Sequence, residues 1–237
     1  MLESLKNKKV LIIVAHPDDE ILGIGATMNK LIEEYNIQTR VIILGEGLTS
    51  RSKDRNQSEW RRALEIHKNN ISSAQECIGY HSVKCYDLPD NRFDSIDLLD
   101  IIKIVEREKL DFGAEVIFTH HGGDVNIDHQ KTFEAVITAC RPLKHETVKT
   151  IITFETASGT EWRANTDPKH FLPNLFVSIS KKNLNAKISA MECYEFEKRI
   201  FPHPRSPEAL ETQAKRWGIA VGTNYSEAFT IVRNIVK

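Results

Sequence analysis

The 237-residue sequence predicts an α/β fold, a mostly parallel sheet with helices on both faces, within a single domain. Three observations carry this. Short apolar runs alternate with longer stretches whose apolar residues recur at helical spacing. The early runs are continuous, as in strands covered on both faces. Polar loops follow the runs where the strands of a parallel sheet end.

Residues 10–15 (VLIIVA) read as the first strand, and residues 24–35 (IGATMNKLIEEY) as the first helix. Residues 39–45 (TRVIILG) form a second buried strand. The polar loop EGLTSRSKDRNQ leads into a long helical region ending at residue 78. VKCYDL is the third strand, residues 96–108 the next helix, residues 115–120 (EVIFTH) the fourth strand, and HQKTFEAVITAC the helix after it. Beyond about residue 150 the alternation loosens. TIITFET and NLFVSIS are strands, and residues 182–199 and 207–218 are helices, separated by FPHPRSPE, whose prolines hold the chain extended. No repeat or linker divides the chain, so it reads as one Rossmann-like domain. Residues 1–145 form its α/β core, and residues 146–237 a C-terminal part.

With 41% hydrophobic and 27% charged residues, this is the composition of an ordinary soluble protein. A formal charge of −1 gives no electrostatic basis for broad nucleic-acid binding. Cys77, Cys85, Cys140 and Cys193 form no CxxC pair, which argues against a thiolate zinc site and for reduced thiols in a cytoplasmic protein. The N-terminus lacks the apolar stretch of a signal peptide, and no window approaches the length of a membrane span. GIGAT (23–27) lacks the third glycine of a dinucleotide fingerprint and follows three acids, so its glycines are expected to serve close packing.

Two strand ends carry histidine-carboxylate clusters: His16-Pro17-Asp18-Asp19-Glu20, and His120-His121-Gly122-Gly123-Asp124-Val125-Asn126-Ile127-Asp128-His129. In a parallel sheet both loops open on one edge, where ligands bind. Imidazoles plus a carboxylate match a catalytic zinc site, and a divalent ion would collect carboxylates that otherwise repel one another. Ordinary roles are also open: Asp18, Asp19 or Glu20 could cap the first helix, and Asp128 the helix near His129.

AHPDDE directly after a first strand, together with the later D-x-N-x-D-H, resembles the PIG-L/LmbE-like family of zinc-dependent N-deacetylases. The similarity covers the order of elements over roughly the first 140 residues. PHPRS and NYSEAF look like C-terminal motifs of the bacterial branch. The resemblance implies His16, Asp19 and His129 as ligands of Zn2+ or another divalent ion such as Fe2+, and Asp18 as general base. It implies removal of an N-acetyl group from a small-molecule amino sugar or its conjugate by a homo-oligomeric enzyme. The same resemblance points to His203 as proton donor and to Asp128 as the carboxylate orienting His129 or a neighbouring donor. Asp90 and Arg92 would contact substrate. Trp162, next to a polar glycine-containing loop, could be a core residue or could stack a sugar ring. Two departures matter. Asn126 stands where many members have a histidine, and can donate to an oxyanion but not shuttle protons. His67 and Asn70 stand at the arginine and glutamate of the family's second helix, so Arg51 or Arg55 would have to supply the substrate contact. These departures keep open a non-catalytic sugar-binding or regulatory protein. An amidase of a thiol conjugate is a further alternative.

Overall fold

A computed structural model describes residues 2–53 and 55–236. Seven strands form one sheet, in the order β3-β2-β1-β4-β5-β7-β6. Their ranges are β1 Lys9–Val14, β2 Gln38–Gly45, β3 Ser82–Leu88, β4 Val116–His120, β5 Thr150–Phe154, β6 Leu175–Ser178 and β7 Ser226–Asn234. The first five run parallel, whereas β7 pairs antiparallel with both β5 and β6. The helices are α1 Asp19–Tyr35, α2 Gln57–Ile78, α3 Leu98–Phe112, α4 Ile127–Ala139, α5 Lys181–Cys193 and α6 Pro207–Val221. The mostly parallel sheet with helices on both faces is therefore present, with an antiparallel end.

Side-chain alternation along β1 divides the core. Val10, Ile12 and Val14 face a cluster with Ile21, Leu22, Ala74, Leu184 and Leu210, from α1, α2, α5 and α6. Leu11, Ile13 and Ala15 face the opposite cluster with Ile101, Val105, Ala135 and Val136, from α3 and α4. Because β1 is apolar toward both layers, it reads as a continuous run. Gly23 brings α1 close to β5: a Cβ there would stand 2.1 Å from Cδ2 of the fully buried Phe154. That is the packing role expected of this glycine.

Several elements differ from the sequence reading. α1 begins at Asp19, five residues earlier than expected, because Asp19 and Glu20 occupy the first turn, where the helix dipole favours acids. α5 ends at Cys193 rather than running to 199, since the next residues leave the helix, placing Tyr194 against Glu20 and Glu197 against Arg205. β7, which the sequence reading did not contain, joins β5 to β6. None of the helices among the described residues is long and apolar enough to cross a membrane.

The strand order reverses between β1 and β4, the position where a doubly wound sheet opens a crevice. The loop after β1 carries His16–Asp18, and the loop after β4 carries His121–Asn126 and leads into α4. Both histidine-carboxylate clusters therefore flank that crevice.

Candidate metal centre and active-site cavity

His16, Asp19 and His129 are all buried, and one potential ligand atom from each lies within 4.8 Å of the others. Asp19 Oδ2 is the meeting point, 3.5 Å from His16 Nδ1 and 3.4 Å from His129 Nε2. The remaining ring nitrogens each face a further carboxylate. His16 Nε2 lies 2.9 Å from Asp128 Oδ2 and 3.4 Å from Asp90 Oδ1. His129 Nδ1 lies 3.1 Å from Asp124 Oδ2, although out of line for a hydrogen bond. A carboxylate behind each imidazole is the arrangement that orients metal-binding histidines.

These carboxylates are themselves fixed. Asp128 accepts from Phe93 N at 2.9 Å. Asp124 accepts from Thr160 Oγ1 at 2.6 Å and from Asn126 N at 2.8 Å. Asp128 thus serves His16, and Asp124 serves His129. Asp128 and His129 are adjacent in α4, so their side chains leave the helix about 100° apart and cannot face one another. His120 lies close by, stacked on His129 at 3.9 Å between centroids. Its Nε2 accepts from Ala15 N at 2.9 Å, so its proton sits on Nδ1, beside Thr156 Oγ1. That ring is a wall of the site, and its lone pair is already used.

The electrostatics demand positive charge. Burial pulls the His129 imidazolium down, yet Asp19 and Asp124 outweigh it and raise the group to about 9. Burial likewise opposes charge on His16, but Asp128, Asp19 and Asp90 hold it well above the ordinary range. Burial would raise Asp19, while His129 and His120 hold it well below the usual carboxylate range. His120, lowered by burial and then by His129, falls to about 4. Two imidazoles and a carboxylate among excess acids form a donor set that fits a divalent cation, which would replace the protons they otherwise attract.

Asp18 sits beside this cluster with left-handed backbone, φ 99°, and its side chain makes no cap hydrogen bond to α1. It forms an ion pair with Arg205, Nη1 to Oδ2 at 2.9 Å. Burial pushes its carboxyl well above the usual range, and Arg205 pulls it back. Glu20 is neither cap nor ligand. It accepts from Asp18 N and from the Tyr194 hydroxyl, and burial raises it to about 7.

A cavity of about 280 Å³ opens over the cluster, lined in part by His16, Asp18, Asp90, Asn126 and His129, and also by Trp162, His203 and Arg205. It is at the small end of ligand clefts, which begin near 300 Å³. A larger groove of about 820 Å³ runs between α2 and β3 but touches none of the three central residues. His203 Nδ1 accepts from Arg205 N at 3.2 Å, which leaves Nε2 as the proton-bearing nitrogen of the neutral ring. Asp90 is fully engaged: Oδ2 accepts from Ser50 N and Oγ, and Oδ1 from Asn91. Asn126 lines the cavity, but its Oδ1 caps α4 and its Nδ2 donates to Asn91.

Two expected substrate contacts lie elsewhere. Arg55 is not in the cavity wall. Its guanidinium is spent on Glu46, at 2.9 and 3.2 Å, and on the Asp87 carbonyl. Arg92 is likewise absent from the cavity lining, whereas Arg51 is part of it. His67, at the family's arginine position, is buried against Tyr194 and Phe196. Asn70, oriented as its neighbours dictate, binds Cys193 O and Glu195 N. The sequence reading gave no role to Asp124, Glu197 or Arg205. Asp124 and Arg205 stood inside quoted motifs: Asp124 pairs with His129 within one motif, five residues on, whereas the pairing of Arg205 with Asp18 crosses the chain and no local spacing encodes it.

The family model described as PIG-L, GlcNAc-PI de-N-acetylase, matches residues 11–140, more than half of the chain. A relative from Escherichia coli (strain K12), the uncharacterized deacetylase YaiS, is 27% identical over 192 residues, covering 79% of this chain and 90% of that protein. The N,N'-diacetylchitobiose deacetylase from Pyrococcus horikoshii superposes with a TM-score of 0.67 at 18% identity, over 95% of this chain and 84% of that one. GalB, the 4-carboxy-2-hydroxymuconate hydratase from Pseudomonas putida KT2440, superposes with a TM-score of 0.72 at 16% identity, over 97% and 98%. At these identities the structural likeness shows the fold alone, and one fold here carries two reactions.

Proposed function

From its membership of the PIG-L, GlcNAc-PI de-N-acetylase family, we propose that this chain is a divalent-metal-dependent hydrolase that removes the N-acetyl group of an amino sugar or its conjugate. The supporting observation is the convergence of His16, Asp19 and His129 beside Asp18 at the floor of a cavity. A zinc or iron(II) ion held by those three residues would polarise the amide carbonyl and lower the pKa of a coordinated water.

The chain's own residues divide the remaining work. Asp18 takes a proton from the attacking water, whose oxygen bonds to the acyl carbon. The C–N bond then breaks, the proton passes to the departing nitrogen, and acetate and a free amine leave. Asp128 and Asp124 hold the two imidazoles in register. His203 offers Nε2–H to charge developing on the acyl oxygen or the amine. Asn126 supports the reaction by fixing the start of α4, not by moving protons. The 58% exposed Trp162 gives a sugar ring a stacking face. In this reading residues 1–145 supply the metal site, and the stretch from 146 onward further parts of the cavity wall. A cytoplasmic homo-oligomer belongs to the same proposal, the compartment being in keeping with four free thiols.

The likeness to GalB makes hydration of an unsaturated carboxylic acid the second reading. Metal-loaded protein offered both substrate classes separates them. Acetate release from N-acetylated amino sugars, reduced at least about 100-fold in Asp18→Asn with metal content unchanged, supports deacetylation. Full activity in Asp18→Asn removes Asp18 from the mechanism.

A further inference from the structure

Five non-glycine residues among those described have positive φ: Asn7, Asp18, Asn36, Asn91 and Ser158. Asparagine and aspartate tolerate positive φ better than serine does, but at 99° Asp18 lies beyond the ordinary left-handed region, which the three asparagines keep to. Asp18 (φ 99°) and Ser158 (φ 66°) both touch one side chain, Arg205. Its Nη1 pairs with Asp18 Oδ2 at 2.9 Å and with Glu197 Oε2 at 2.5 Å, and its Nε donates to Ser158 Oγ at 2.8 Å. The other oxygen of Glu197 is taken by Arg51. The backbone of Arg205 in turn holds His203. One guanidinium thus joins the loop after β1, the loop after β5 and the segment before α6.

Asp18 occupies the N-cap position of α1, where an aspartate ordinarily turns its carboxylate back onto the helix amides. Here it does not, and the carboxylate is directed to Arg205 instead. We propose that Arg205 is a positioning residue for the deacetylation step. It replaces the helix amides as the partner of Asp18 and keeps that carboxylate turned to the cavity, with Ser158 and Glu197 fixing the guanidinium plane. The role rests on the deacetylase reading above. It predicts that the arginine acts on kcat through the geometry of Asp18, with no part in holding the metal.

The test compares wild type, Arg205→Met, Arg205→Lys and Ser158→Ala as metal-loaded full-length proteins on an N-acetylated amino sugar turned over by the wild type. Metal content is measured alongside. Absence of acetate release by the wild type defeats the deacetylase reading and leaves Arg205 without a step to position. With an active wild type, Arg205→Met should retain one metal per chain and a KM within about threefold, while kcat falls about 100-fold, the scale of an ångström misplacement. Added guanidinium ion, at tens of millimolar, should restore part of that loss. Lysine should fall between, since an ammonium cannot span three partners in one plane. Unchanged kcat in Arg205→Met overturns the inference, as does a loss that neither guanidinium nor lysine relieves. If Arg205→Met does not fold, Ser158→Ala decides. A severalfold loss of kcat at constant KM supports the role, and an unchanged kcat overturns it.

Discussion

Replacing His67 by leucine should flatten part of the acid lability of this protein. His67 is 2% exposed on α2, and neither ring nitrogen has a hydrogen-bond partner among the described residues. Burial drives its pKa down from 6.5 to about 4, with Glu197 opposing and Arg51 assisting. The folded chain therefore binds the proton less readily than the unfolded chain. The stability that His67 contributes in its neutral form is full above pH 6.5 and is lost as pH falls toward 4. A shift of this size corresponds to about 3 kcal/mol overall, of which about 2 kcal/mol is lost by pH 5. Urea denaturation of metal-free wild type and His67→Leu at pH 7.5 and pH 5 isolates this contribution, because the carboxylates and histidines common to both cancel. The stability difference should move by about 2 kcal/mol in favour of the variant at pH 5. That is a relative midpoint change of about 1 M urea for a slope near 2 kcal/mol/M. Parallel loss of stability in the two proteins would refute the assignment of a buried, neutral His67.

Gly23→Ala should destabilise the fold by about 1–3 kcal/mol, seen as a lowered melting temperature, because its Cβ would stand 2.1 Å from the fully buried Phe154 ring, which would have to shift. Melting at the wild-type temperature would mean that α1 and β5 are less closely packed. Loading the metal-free chain with zinc at pH 7 should release about two protons, since both His16 and His129 are held protonated by the surrounding carboxylates. Calorimetry in buffers of differing ionisation enthalpy reads that number, and a value near zero would contradict the protonation described for His16 and His129.

The parallel half of the sheet was legible because strands buried on both faces must be apolar throughout, as Val10–Val14 are. The antiparallel end was not. Ser226–Asn234 is only partly buried, and its partners lie in β5 and β6, so neither its pattern nor its spacing announces its place. The start of α1 was misplaced because His-Pro followed by three acids reads as a loop, whereas Asp19 and Glu20 already lie in the helix. In the site, His16, Asp19 and His129 could be named because each stands in a recognisable motif. Which carboxylate serves which imidazole could not, since His16–Asp128 spans 112 residues. Arg55 and Arg92 looked like substrate contacts by sequence position alone. Arg55 is instead claimed by Glu46 beside the long helix. Arg205 was visible only as a letter in PHPRS, and its partner Asp18 is set by the fold.

Acetate counted after zinc- or iron(II)-loaded protein meets a panel of N-acetylated amino sugars decides most directly whether His16, Asp19 and His129 serve amide hydrolysis. The expected result is acetate and free amine in equal yield from at least one sugar, abolished by a chelator, restored by added metal, and absent in His129→Ala. Acetate release that survives both the chelator and His129→Ala, or no release from any sugar by protein carrying one metal per chain, would contradict it.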